Sequence, residues 1–155
     1  MRLTNFTDYA LRVLIYAAAH PEKRTTIEVA AEYFQISRAH LKKVVLALCQ
    51  AKFLQCRKGR LGGFELARPP AEINLGAVIR VTEPDFGLFE CFLSGNECRI
   101  SRPCKLPSVA NEALLAFLGV FDRHSLADAL VRPDYFVSGP SLGPRPVRGP
   151  ELSRG

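Results

Sequence analysis

No stretch of this sequence stays apolar for the roughly 18 residues that a membrane-spanning helix needs. The segment "VLIYAAA", Val13 to Ala19, follows a lead-in interrupted by Asp8 and Arg12 and continues its helical period, so it does not read as a signal peptide. There is no C-x-x-C pair and no conspicuous Cys/His pair, which argues against a thiol oxidoreductase and, more broadly, against an enzyme. No internal repeat is present. The cysteines number five, an odd count that argues against a secreted disulfide framework and points to the cytoplasm. Negative charge is scarce in the first half. Residues 1–68 carry 5 Asp/Glu against 12 Lys/Arg, whereas residues 69–155 carry 10 against 9. The net charge of +6 therefore resides in the N-terminal half. A one-sided basic balance suits a polyanion partner, although a solvated basic face would give the same count.

A length of 155 residues accommodates one compact domain, alone or with an appendage. A first helix is expected from a cap at Asn5 or Thr7 to about His20, with Tyr9, Leu11, Val13, Leu14 and Ile15 on a broad apolar face and Pro21 as its stop. Thr26 should cap a short helix from Ile27 to about Phe34. Gln35 and Ile36 make a tight turn, and Ser37 caps a second helix with Leu41, Val44, Val45 and Leu48 on its inner face. These are the proportions of a helix-turn-helix, over about residues 27–50. Alternation on either side of a Gly-rich turn, Arg57 to Gly63, predicts strands at Phe53 to Cys56 and Phe64 to Leu66, a hairpin wing over about 53–67. Ile73 to Val81 reads as a further short helix, which completes an N-terminal module of residues 1–83.

In such a module the second helix presents its N-terminal residues to the major groove. Those residues are Ser37, Arg38, Ala39 and His40, followed by Lys42 and Lys43. Arg38 suits guanine, and the lysines suit phosphates. Arg57, Lys58 and Arg60 at the wing tip suit a phosphate or the minor groove. The expected partner is double-stranded DNA.

Residues 84–106 form a loop that holds three of the five thiols, in "ECFLSGNECRISRPCKL". The spacing Cys91-x6-Cys98-x5-Cys104 differs from the C-x2–4-C of zinc sites, and no His lies within the loop. Three thiolates on one loop suit a soft metal centre such as an iron–sulfur cluster, one ligand short. Zinc, redox-active thiols and the absence of any ligand role remain open on spacing alone. Cys49 and Cys56 read as buried free cysteines acting as small hydrophobes. Within residues 107–136, Pro107 opens a long helix whose stripe of Ala110, Ala113, Leu114, Phe117, Val120 and Phe121 is too wide for its own domain. A homodimer partner is the economical cover; packing on the N-terminal helices is the alternative. Ser125 and Asp128 form a capping box for a short terminal helix. Residues 137–155, rich in Gly and Pro, read as a disordered tail. The fold class expected is mostly α, a winged helix-turn-helix with a long C-terminal dimerisation helix.

Four motifs in order, "MRLTNFTDYALRVLIYAA", "ISRAHLKKVVLAL", "RKGRLGGFELARPP" and the three-cysteine loop, resemble the Rrf2 family of bacterial transcription regulators over about residues 1–135. Within that family the likeness is greatest to its nitric-oxide-sensing repressors. The resemblance implies a homodimer with an iron–sulfur cluster in each subunit, [4Fe-4S] in the first instance and [2Fe-2S] as the alternative. It implies that nitric oxide attacks the cluster and releases the DNA. Cys91, Cys98 and Cys104 match the family's cluster cysteines, and Asp8 in "FTDYALR" matches a carboxylate ligand contributed by the other subunit. Without the resemblance Asp8 reads as a charge favouring the helix dipole. The cluster-supply-sensing branch carries a His where this chain has Pro107, which cannot ligate. The iron-sensing branch shares the three cysteines but usually lacks the Asp. The first interval of six residues is often five in the nitric-oxide-sensing branch.

Overall fold

The computed structural model describes residues 2–57, 59 and 62–137. The chain runs α1 (Asn5–Ala19), α2 (Ile27–Phe34), α3 (Arg38–Gln50), β1 (Leu54–Arg57), β2 (Gly63–Leu66), α4 (Leu75–Thr82), α5 (Leu106–Asp122) and α6 (Asp134–Val137), with 3-10 turns at Pro70–Glu72, Glu90–Phe92 and Leu126–Ala129. It is mostly helical with one small antiparallel sheet, as expected. None of the described helices is long and apolar enough to cross a membrane.

Local chemistry sets the helix-turn-helix. The Thr26 side chain accepts from the Val29 amide and that of Ser37 from the His40 amide, so both helices begin where an N-cap residue satisfies otherwise unpaired N–H groups. Between them Gln35 turns left-handed at φ 54°, and Ile36 N–H reaches back to Ala31 C=O at 3.0 Å. That closure points Ile36 into the core and redirects the chain into α3. Leu41, Val44, Val45 and Leu48 are buried, as their spacing predicts.

The start of α1 differs from expectation. Thr4, not Asn5 or Thr7, is its cap, and its side chain accepts from the Thr7 amide. The inner face is also shifted: Ala10, Val13, Leu14 and Ala17 are buried, while Tyr9, Leu11 and Ile15 pack at its margin. Tyr16 is buried too, beneath a ring cluster of His20, Tyr33, Phe34 and Phe136, the last from α6. Burial, and then the neighbouring Tyr33, pushes the Tyr16 hydroxyl pKa up.

The strands lie where the alternation places them, with β1 shifted by one residue and β2 beginning one residue earlier, at Gly63. They pair Leu54 with Leu66 and Arg57 with Gly63. Phe64 is fully buried beneath them and exchanges two backbone hydrogen bonds with Thr25, which fastens the wing to the chain just before α2. Lys58 and Arg60 lie outside the described residues, as does the tail from residue 138; Val137, expected in the tail, ends α6.

α4 runs from Leu75 to Thr82, where a helix from Ile73 to Val81 is expected, because Asn74 caps it: the Asn74 side chain accepts from the Ala77 amide. A side chain at Gly76 would collide with Asp122 and Arg80. Glycine there lets the end of α5 approach α4, and Arg80 holds the Asp122 carboxylate through both oxygens, at 2.5 and 2.8 Å. That bonding draws the Asp122 pKa below the ordinary carboxylate value. The Ser125–Asp128 capping box is formed as expected, on a 3-10 turn rather than an α-helix.

Candidate nucleic-acid interface and cysteine loop

Every candidate DNA-contacting residue of α3 faces solvent: Ser37, Arg38, His40, Lys42 and Lys43 are all exposed. At 100° per residue the positions opposite the buried stripe are Ala39, Lys43, Leu46 and Gln50, with Lys42 beside them. Arg38 and His40 flank that line on opposite sides. His40 and Lys43 border a groove against Asn5, Phe6 and Tyr9 of α1. Leu46 is 56% exposed in the middle of a polar face. Sequence reading passed over it because an apolar residue between two core positions looks like core; its angle on the helix was the available signal. Arg57, exposed at the end of β1, projects from the same module as α3.

The cysteine loop starts directly after α4, at a point that is tied to α1. Glu83 Oε1 accepts from the Thr4 amide at 2.9 Å and from the Thr4 hydroxyl at 3.0 Å. Beneath it the buried Thr7 hydroxyl donates to Thr82 Oγ1 at 2.9 Å, and Thr82 donates to Val78 C=O. The entry to the loop and the first turn of α1 are therefore joined by hydrogen bonds. Asp8 sits in that first turn and pairs with Arg12 at 2.6 Å, one helical turn on. This is the helix-dipole placement that the residue has without a ligand role.

Within the loop, Cys91, Cys98 and Cys104 are free thiols; Cys98 is exposed and the other two are half-buried. The loop is held by its own polar groups. Glu90 accepts from the Glu97 amide at 2.9 Å, Asn96 accepts from the Cys98 amide at 3.0 Å, and Ser101 donates to Cys98 C=O at 2.8 Å. Among the described residues no three His, Cys, Asp or Glu side chains converge as a metal-holding group, so this single chain does not bring Asp8 and the three cysteines together. The donor chemistry nevertheless fits a soft metal centre: three unbridged sulfurs on one loop, with no competing His.

Cys49 and Cys56 are a correction. They were expected to be buried and free. They are joined by a disulfide, with Cα atoms 6.1 Å apart, and Cys56 is exposed. The physical reason is the corner between α3 and β1, which returns the chain against the end of the helix it has just left.

α5 has two apolar faces. Ala110, Leu114, Phe117, Leu118 and Phe121 lean inward. Leu106, Val109, Ala113, Ala116 and Val120 recur at three and four on a neighbouring flank, about 100° round the helix, and Leu106 and Val109 are 50% and 61% exposed. The single broad stripe read from the sequence is thus divided between a packed face and an uncovered seam.

Residues 3–132 match the family described as "Rrf2: Iron-dependent Transcriptional regulator". The chain is 48% identical over 130 residues to the HTH-type transcriptional regulator NsrR of Bacillus subtilis, covering 83% of this chain and 89% of that one. It is 47% identical over 132 residues to NsrR of Geobacillus kaustophilus, covering 84% and 90%. Among solved structures, T. potens IscR superimposes with a TM-score of 0.65 at 23% identity, covering 83% of this chain and 85% of that one. The B. subtilis cysteine regulator CymR does so at 0.60 and 22%, covering 83% and 95%.

Proposed function

Since the chain belongs to the Rrf2 family of transcription regulators, DNA-binding proteins rather than enzymes, we propose that it is a homodimeric repressor that senses nitric oxide through an iron–sulfur cluster. The observation that carries this reading is the set of three unbridged cysteines on a loop whose entry is fastened to α1. The relatives at 48% and 47% identity, which bear the name NsrR, support the same assignment. Cys91, Cys98 and Cys104 would hold the cluster, with [4Fe-4S] the expected type, and Asp8 of the second copy would supply the remaining ligand. Bound there, the cluster supplies the iron that reacts with nitric oxide.

The chain's own residues do the rest. Arg38 reads a base, Lys42 and Lys43 neutralise phosphates, and Ser37 orients the first turn of α3. Arg57, with Lys58 and Arg60, takes the flanking backbone from the wing. The seam on α5 pairs with its copy and sets two recognition helices about 34–36 Å apart, one turn of DNA. Asp8 exchanges its Arg12 partner for a role across the dimer. Displacing the loop then pulls on Thr4 through Glu83, and α1 carries that shift to α3, against which it packs. A bias of a few kcal/mol between two such arrangements suffices to switch binding. The protein would work in the cytoplasm, where its DNA is.

The test is to purify the protein without oxygen and record its visible spectrum. It then selects an operator from a random-sequence duplex pool, and binding is repeated after addition of nitric oxide. Coloured protein that loses both its spectrum and its operator on nitric oxide supports the reading. Colourless protein that binds the operator regardless of nitric oxide contradicts it.

A further inference from the structure

The bridge between Cys49 and Cys56 lies outside the cysteine loop and has no part in the function proposed above. It joins the last turn of α3 to the middle of β1. The corner that brings the two sulfurs together is built by the backbone. Lys52 adopts φ 61°, its N–H bonds Cys49 C=O at 3.1 Å, and Phe53 N–H bonds Leu48 C=O at 2.9 Å. These two bonds close α3 as a Schellman motif, sealed by the buried side chains of Leu48 and Phe53. The chain then doubles back and sets the Cα atoms 6.1 Å apart, within the span of about 4.4–6.8 Å that a disulfide bridges. The pair is therefore positioned by a preformed corner, whether or not it is oxidised.

Two further observations give the pair a chemistry. Cys56 is exposed and Cys49 half-buried, so one sulfur is open to a reagent and the other lies behind it. Both face an open cleft that Lys52 and Arg68 also line, and Arg68 is fixed there by donating to Lys52 C=O at 3.0 Å. A cleft lined by basic side chains attracts an anionic reagent such as oxidised glutathione. In a reducing compartment a bridge of this kind is a reversible one, since static disulfides do not persist there.

We propose that Cys49 and Cys56 form a reversible dithiol–disulfide site, oxidised by low-molecular-weight disulfides, that fastens the wing to the recognition helix. The Cys56 thiolate attacks one sulfur of the small disulfide and expels one small thiolate, leaving a mixed disulfide. The Cys49 thiolate then attacks the Cys56 sulfur and expels the second. Two protein thiols are oxidised, one small disulfide is reduced to two small thiols, and the two protons pass to those products. The bridged pair spans the two elements that face DNA, so it stiffens the module at the point where wing and helix must be held together. The inference rests on the proposed function for its reducing compartment and for that last consequence.

Trypsin cleaves after Lys43, Lys52 and Arg57, which places the two cysteines on separate peptides, 44–52 and 53–57. The full-length protein is equilibrated anaerobically in mixtures of oxidised and reduced glutathione, alkylated, digested and analysed without reduction. The linked pair of peptides should grow with the proportion of oxidised glutathione and vanish when the ratio is reversed. Cys49→Ser should instead retain glutathione on Cys56, and Cys98→Ala should form the link undiminished. Amides of β1 and β2 should exchange about tenfold more slowly in the bridged protein. Both peptides fully alkylated at every ratio, or glutathione persisting on Cys56 in the unaltered protein, would overturn the site. A link without slower exchange would overturn the fastening. Neither result depends on a cluster or on an operator, so failure here leaves the proposed function standing.

Discussion

Glu83, the last residue before the cysteine loop, accepts two hydrogen bonds from Thr4, the residue that caps α1. One carboxylate thereby satisfies the start of a helix and fixes the start of a loop 79 residues away in sequence. Its negative charge also lies at the positive end of α1. Glu83→Ala should cost about 1–2 kcal/mol in urea unfolding, and Glu83→Gln, which keeps an acceptor, less. Equal losses for the two would mean that bulk rather than hydrogen bonding matters there. Thr82→Val, which leaves the buried Thr7 hydroxyl only its longer contact with the Thr4 hydroxyl at 3.4 Å, should cost about 1 kcal/mol.

The α3 surface separates two kinds of contact. Lys42→Ala and Lys43→Ala should weaken operator binding evenly across sequences and lower the slope of log affinity against log salt by about 0.9 each. Arg38→Ala should cost about 1–3 kcal/mol at one guanine and leave the other positions unaffected. Fluorescence anisotropy at several salt concentrations, on operators altered one base pair at a time, distinguishes the two.

Val109, in the uncovered α5 seam, is more exposed than Leu106 or Val120. Val109→Asp places two like charges across a symmetric contact and should raise the dimer dissociation constant about 100-fold or more, read by sedimentation. The fold of one copy should be little affected, because Val109 is 61% exposed and lies outside the core. An unchanged dimer would move the interface elsewhere.

Arg80 gives a pH dependence with a definite sign. Hydrogen bonding from Arg80 lowers the Asp122 pKa in the folded protein. A carboxylate depressed on folding contributes stability that is fully present above its ordinary pKa and is lost as pH falls through the folded value. Unfolding of Asp122→Asn should therefore differ from that of the unaltered protein at neutral pH, and the difference should shrink in acid. Asp128 follows the same sign, through its bonds to the Ser125 amide and hydroxyl and the nearby His124.

The helix-turn-helix was legible because its signals are local. Ser37 stands alone as a cap residue, and Thr26 is the member of the Thr25-Thr26 pair that directly precedes a clear apolar period; the structure uses both. The start of α1 was not, because "TNFT" offers three cap residues in four. The choice of Thr4 goes with a contact from Glu83 that no local pattern contains. The Cys49–Cys56 bridge was missed for a related reason: the two residues were assigned to different elements, and only the left-handed turn at Lys52 brings them back together. The α5 stripe was recognised as too wide, but its division into a packed face and a seam depends on where α4 and the body of the domain lie.

The central claim is that the loop thiols hold the group that licenses DNA binding. Cys98 is the test residue, being exposed and outside the core, so its loss leaves the fold intact. Cys98→Ala and the unaltered protein are purified without oxygen, and visible absorbance and operator affinity are measured on the same samples. The account predicts that the variant loses absorbance and operator binding together while its far-ultraviolet circular dichroism is unchanged. A colourless Cys98→Ala protein that binds its operator as tightly as the coloured one would contradict it.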